Sequence, residues 1–411
     1  MPQKNILIIG GVVVILIIAG WWWFSQNQVT STPTSPTTQS QTPSFFPVGA
    51  IKDAIQNIIT TTTNNIQEII PGGQSGVEVD DQLVKQVVSQ PIADYGFITY
   101  QGTSTLFYVE QNTGHIFVVA SNTPMRLSNK SIPRIKGVKT AENASRYYFY
   151  ISSLDEQNDL IWQKGELLKA TSSELVLTAM AGNIKALEVS PKGDQVFVLK
   201  EVDGASLGQI LTLNLEVPTT VFTSPFTEWV VEWMSDTKIS FQTKPSSGVN
   251  GSIYLLDIKN KSFTPVIIGI SGLIGKISPD TNHLIYSSSQ GGNLVVESKN
   301  LNKAGEFNYS VKTLADKCVW LPDSVLIACG TPKDLVSLNY PDAWYQGSIG
   351  FNDNIWLIDI IMNQSFLIFD LDESIDLINL NIASNNPLLL YFQNKRDGSL
   401  WSFDLNTGFD L

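Results

Sequence analysis

From about Gly76 to Leu411, apolar and polar positions alternate with a period of two. Short apolar runs of this kind, bounded by Asn, Asp, Gly, Ser and Pro, predict β-strands joined by tight turns. No long amphipathic helix is predicted after Val88. Four runs are near-copies of one another: Leu106-Phe107-Tyr108-Val109-Glu110, Ile253-Tyr254-Leu255-Leu256-Asp257, Ile355-Trp356-Leu357-Ile358-Asp359 and Leu400-Trp401-Ser402-Phe403-Asp404. Two of them lead into the same turn, Asn112-Thr113-Gly114 and Asn406-Thr407-Gly408. One small sheet is therefore repeated along the chain.

The turns set the period. Val189-Ser190-Pro191, Trp233-Met234-Ser235-Asp236, Ile277-Ser278-Pro279-Asp280, Trp320-Leu321-Pro322-Asp323 and Ile382-Ala383-Ser384-Asn385 begin 44, 44, 43 and 62 residues apart. Pro pre-sets φ, and Asp, Asn or Ser accepts a hydrogen bond from the turn backbone. A strand follows each anchor. A repeat near 44 residues with four strands is the size of one propeller blade. Third strands are expected near Leu106, Leu160, Ile210, Ile253, Leu294, Ile355 and Leu400, which gives seven blades, with six or eight as alternatives. The last blade then lacks a fourth strand, which Val77 to Val88 are placed to supply. Ring closure of that kind removes exposed sheet edges.

The repeats resemble the WD-like units of Tol-type periplasmic β-propellers, whose blades carry a Trp-Ser-Pro-Asp-Gly turn and an Ile-Tyr-x-x-Asp strand. Trp320-Leu321-Pro322-Asp323 and Ile253-Tyr254-Leu255-Leu256-Asp257 carry the likeness, which spans residues 77–411. Several blades lack the Trp, the Pro or the Gly. The resemblance implies an all-β propeller outside the cytoplasm and names no ligand.

The N-terminus changes where this wheel is expected to sit. Residues 5–24 form a run of 20 without a charge, ending in Trp21, Trp22 and Trp23. As a helix the run spans about 30 Å, the hydrocarbon thickness. Tryptophan favours the headgroup layer, and Lys4 precedes the run while the next charge is Lys52. A single-pass signal anchor is expected, with residues 1–4 cytoplasmic and the remainder extracytoplasmic. A cleaved signal peptide is the competing reading, against which stands the poor small-x-small site at Ala19-Gly20-Trp21. Residues 25–47, rich in Ser, Thr, Gln and Pro, read as an extended tether. Residues 48–71 carry Ile51, Ile55, Ile58, Ile66 and Ile69 at helical spacing. They predict a short amphipathic helix, or a stalk that self-associates through 51–69.

Composition narrows the partners. The net charge is -12 and the pI about 4.7, so the basic footprint needed for nucleic acid is absent. Two histidines, His115 and His283, do not suggest a histidine metal site, and no cofactor is expected. Cys318 and Cys329 flank the Pro322-Asp323 turn. A hairpin centred on Asp323-Ser324 sets them opposite each other, at disulfide distance. Asp370, Asp372, Glu373 and Asp376 crowd together but lack the Gly turn and terminal Glu of a calcium loop, and read as a solvated acidic turn.

The 62-residue interval holds about 18 additional residues, in 331–354 between the second and third strands of the sixth blade. Asp342, Trp344, Tyr345, Gln346, Asn352 and Asp353 on this loop are the candidate binding residues. Loops carry function more often than scaffolds, and exposed aromatics anchor partners. The alternative is that Trp344 and Tyr345 fold back over the channel or a blade edge. No catalytic constellation is recognisable. The expected function is a membrane-tethered, non-catalytic module that binds a protein, peptide or glycan. An extracytoplasmic propeller enzyme, a hydrolase or lyase acting on polysaccharide or peptide, is the alternative, and it predicts carboxylates and tyrosines at one channel mouth.

Overall fold

A computed structural model describes residues 83–120, 123–169, 174–371 and 374–406. The expected membrane span, tether and amphipathic segment lie outside these residues. Among the described residues no helix is long and apolar enough to cross a membrane.

Seven four-stranded antiparallel sheets follow one another along the chain. Blade 1 spans residues 92–128, blade 2 135–179, blade 3 183–224, blade 4 229–271, blade 5 274–309 and blade 6 318–369. Blade 7 combines 377–404 with the strand Val84–Val88. In that blade Val84 pairs with Phe403 and Val88 with Leu400, so the first described strand is the outermost strand of the last blade. The first strands of blades 1, 2, 3 and 7 line one cavity, which identifies them as the inner strands around the axis. The fold is a seven-bladed β-propeller.

The third strands fall where the repeats place them in blades 2 to 7. Blade 1 is the exception. Leu106 lies on its second strand, Thr103–Glu110, and the third is Ile116–Ala120. A doubly buried second strand and a third strand both read as apolar runs, so the pattern alone does not separate them.

The anchors close the turn after each inner strand. Gly193 N donates to Ser190 O at 2.7 Å, Thr281 N to Ser278 O at 2.8 Å and Ser324 N to Leu321 O at 3.0 Å. Gly193, Thr281 and Ser324 occupy the same left-handed position, with φ of 70°, 59° and 58°. Only the first blade of the three supplies the glycine that this conformation favours.

Blades are tied by side chains reaching a neighbour's backbone. Asp94 Oδ2 accepts from Val138 N at 2.7 Å, linking blades 1 and 2. Gln242 Oε1 accepts from Gly275 N at 2.7 Å, linking blades 4 and 5. Asp353 Oδ2 accepts from Leu377 N at 2.6 Å, linking blades 6 and 7. Gln393 Nε2 donates to Ile92 O at 2.7 Å, joining blade 7 back to blade 1. Between these ties the seams are apolar. Phe222, Trp229, Phe241 and Phe263 fill the seam of blades 3 and 4, with ring centroids 4.2 to 6.1 Å apart.

Candidate functional site: an ionisable channel under a braced loop

The inner strands border the axis with their free edges, and their side chains alternate between the two faces of each blade. Five of these strands place a charged residue beside the axis: Asp94, Lys139, Glu188, Glu232 and Lys276 on blades 1 to 5. Asp316 joins them from the turn Ala315–Lys317 that leads into blade 6. Blade 7 contributes Asn379, held at φ 52° where the strand register slips between Ile378 and Asn381. Such a bulge re-aims backbone groups, and here the Asn379 carbonyl accepts from the Tyr95 hydroxyl of blade 1. The channel forms a cavity of about 500 Å³ against blades 1, 2, 3 and 7. A recess of about 390 Å³ that shares Asn379 and Leu380 lies against Lys276, Asp316, Tyr345 and Lys395.

Four of these six charges form two ion pairs. Lys139 Nζ lies 2.9 Å from Glu188 Oε1, and Lys276 Nζ 3.9 Å from Glu232 Oε2. Glu188 raises the pKa of the Lys139 ammonium, and Glu232 does the same for Lys276. Burial pushes the carboxyls of Asp94 and Glu188 up, against the opposing pull of backbone N–H groups on Asp94 and of Lys139 on Glu188. Both Asp94 oxygens are engaged, Oδ1 by Tyr95 N at 2.9 Å and Oδ2 by Val138 N.

The ring of charge was legible in part. Glu188, Glu232 and Lys276 each stand immediately before the first residue of a turn anchor, Val189, Trp233 and Ile277. Blade 6 breaks the rule with Val319, and its charge comes from Asp316 instead.

The long loop between the second and third strands of blade 6 lies over one mouth of the channel. It packs Tyr340, Trp344 and Phe351 with Ile274 and Leu294 of blade 5 and with Leu314 and Ala315. It reaches blade 4 through Asp342, whose Oδ2 accepts from Ser247 N and Oγ at 2.6 and 2.5 Å. A single helical turn, Asp342–Tyr345, presents the aromatics, and Gly347 at φ 72° turns the chain back.

The six candidate residues have different fates. Trp344 is 4% exposed, and its Nε1 donates to Asp376 Oδ2 at 3.0 Å. Asp353 is fully buried beside Lys317, Nζ to Oδ2 2.8 Å. Lys317 also donates to Asp376 and, at 2.8 Å, to Leu377 O. Asp376 Oδ2 accepts from Phe351 N at 3.0 Å. These residues brace the loop from inside. Asn352 accepts from Arg396 at 2.7 Å at the surface. Tyr345, 43% exposed, and Gln346 face solvent at the channel mouth, and the Tyr345 hydroxyl donates to Asp316.

Asp376 therefore departs from the solvated acidic turn expected of it. It is buried because Lys317, an unremarkable residue in sequence, lies fully buried beside it. Asp370 does stay at the surface, paired with Lys333 at 2.5 Å. Asp372 and Glu373 lie outside the described residues. Cys318 and Cys329 are register partners and form a disulfide. Among the described residues, no group of three or more His, Cys, Asp or Glu is arranged to hold a metal ion.

No protein-family model and no curated protein matches this sequence. Its fold is similar to that of oligogalacturonate lyase from Vibrio parahaemolyticus, with TM-score 0.53 and 10% identity over 80% of this chain and 96% of that one. It is also similar to the tricorn protease, with TM-score 0.49 and 13% identity over 83% of this chain and 35% of that one. A third similar structure is the β-propeller domain of the Trilobed protease from Pyrococcus furiosus, with TM-score 0.45 and 10% identity over 66% of this chain and 80% of that one. At these identities the likeness is one of fold.

Proposed function

We propose that the protein is a non-catalytic recognition module, held outside a membrane by residues 5–24, that binds a protein, peptide or glycan at the loop-covered mouth of its channel. The observation that carries this reading is the bracing of the loop. Trp344, Asp342 and Asp353 are fixed by Asp376, Ser247 and Lys317, while Tyr345 and Gln346 stay exposed. A surface ordered before it meets its partner loses little entropy on binding. A disulfide between Cys318 and Cys329 suits an oxidising compartment, in keeping with the hydrophobic N-terminal run and the Tol-type likeness.

Tyr345→Ala, made in the full-length chain, is expected to weaken partner capture from intact membranes at least about tenfold, the loss typical of a binding anchor. Its melting temperature should stay close to wild type, because the ring is exposed. Unchanged capture, or a collapse in stability, would count against the mouth as the binding surface.

A second reading, an extracytoplasmic hydrolase or lyase, is favoured by one observation. Burial keeps the Asp94 and Glu188 carboxyls disposed to hold a proton, as a general acid requires. The similar lyase acts on oligogalacturonate. The binding reading is preferred because the Asp94 oxygens are taken by backbone and Glu188 by Lys139. Fragmentation of oligogalacturonate by the full chain, abolished by Glu188→Gln, would reverse that preference.

A further inference from the structure

Between blades 7 and 1 the packing leaves a recess of about 600 Å³, inside the usual range for small-ligand sites. The seam of blades 7 and 1 also carries aromatic rings, and some of them border this recess. Phe97 and Tyr391 meet edge to face at 5.7 Å, and with Tyr100 they form a half-buried apolar wall. Around this wall stand Gln86, from the strand that closes the ring, and Gln101, from the first turn of blade 1. Neither amide, nor the hydroxyl of Tyr100 or Tyr391, is hydrogen-bonded to another described residue.

Charge is nearly absent from the lining. No carboxylate borders the recess, and Lys85 is its one ionisable amine, in a protein of net charge -12. A cation would meet no counter-charge there, and a polyanion a single lysine. Apolar ring faces edged by amides and hydroxyls match the chemistry of a pyranose, whose C–H face is apolar and whose rim is hydroxyl.

We propose that this recess is a binding site for a neutral oligosaccharide of two or three sugar residues. It is separate from the loop-covered mouth. Gln101 and Asn385 mark the turns between first and second strands, whereas 333–352 joins second and third strands. In an antiparallel blade those two turns leave opposite ends of the sheet. The site therefore stands independently of the proposed channel function.

The test is calorimetric titration of the full chain in lipid nanodiscs with cellotriose, maltotriose, xylotriose and triacetylchitotriose, with trigalacturonate as the charged comparator. At least one neutral trisaccharide is expected to bind in the micromolar to millimolar range. Gln101→Ala and Tyr391→Phe should each weaken it about fivefold, the effect of losing one hydrogen bond. Tyr391→Phe keeps the packed ring, so a folding defect does not confuse the result. Tyr345→Ala should leave the affinity unchanged. Four silent titrations, tighter binding of trigalacturonate, or sugar binding that ignores Gln101→Ala and Tyr391→Phe would overturn the proposal.

Discussion

Lys317→Met is expected to lower the unfolding free energy by about 4 kcal/mol, the cost typical of stranding a buried charge. Lys317 is fully buried, with Asp353 and Asp376 on it and the Leu377 carbonyl accepting a further hydrogen bond. Its ammonium also sits 5.0 and 5.2 Å from the centroids of the Trp344 and Phe351 rings. Methionine fills similar volume but leaves two carboxylates without a counter-ion. Adding Asp353→Asn and Asp376→Asn removes those charges and should restore much of the loss, because a buried ion cluster is worth little over a neutral one. Chemical denaturation of the single and triple variants reads both effects. A single variant as stable as wild type would show that the cluster is not buried as described.

The same cluster predicts a pH dependence. Burial raises the Asp353 carboxyl to about 6, against the opposing pull of Lys317. A group whose folded pKa lies above its unfolded value binds its proton more tightly when folded. Its contribution therefore favours folding below about pH 4 and declines as pH rises to about 6, then stays level. Asp353→Asn should abolish that portion of the decline relative to wild type. It should also be tolerated at neutral pH, since Lys317 and Asp376 remain as a one-to-one pair.

Val88→Asp is expected to cost about 3 kcal/mol, the penalty for placing a carboxylate in an apolar site. Val88 is 7% exposed and packs with Ile92, Leu106, Tyr108 and Leu400 across the seam of blades 7 and 1. The damage should be local. Hydrogen exchange should quicken along Val84–Val88 and Leu400–Asp404, which pair to close the ring, while blades 3 to 5 keep their protection. The exposed edge of Leu400–Asp404 should also promote association between molecules. Exchange unchanged in Leu400–Asp404 would contradict closure by the N-terminal strand.

The wheel was legible because its period is written in turn chemistry. Pro191, Pro279 and Pro322 open the same turn in three blades, and the strands after them are apolar in the same register. Closure was legible because the last repeat falls one strand short. The proposed binding surface was legible only as a loop of unusual length. Nothing local distinguishes Trp344, which is buried, from Tyr345, which is exposed, because the difference comes from Lys317 and Asp376, 27 and 32 positions away. The channel charges were obscured for a similar reason. Glu188 and Lys276 look like ordinary turn-flanking residues until seven inner strands converge on one axis.

The loop-covered mouth is the proposed meeting place of the protein and its partner. A photo-cross-linking phenylalanine analogue at position 345, in the full-length chain in native membranes, tests that proposal most directly. The same analogue at Ile268, exposed on the outer strand of blade 4, serves as the comparison. A discrete adduct at 345 that is missing at 268 is the predicted result. No adduct at 345, or the same adducts from both positions, would contradict the account.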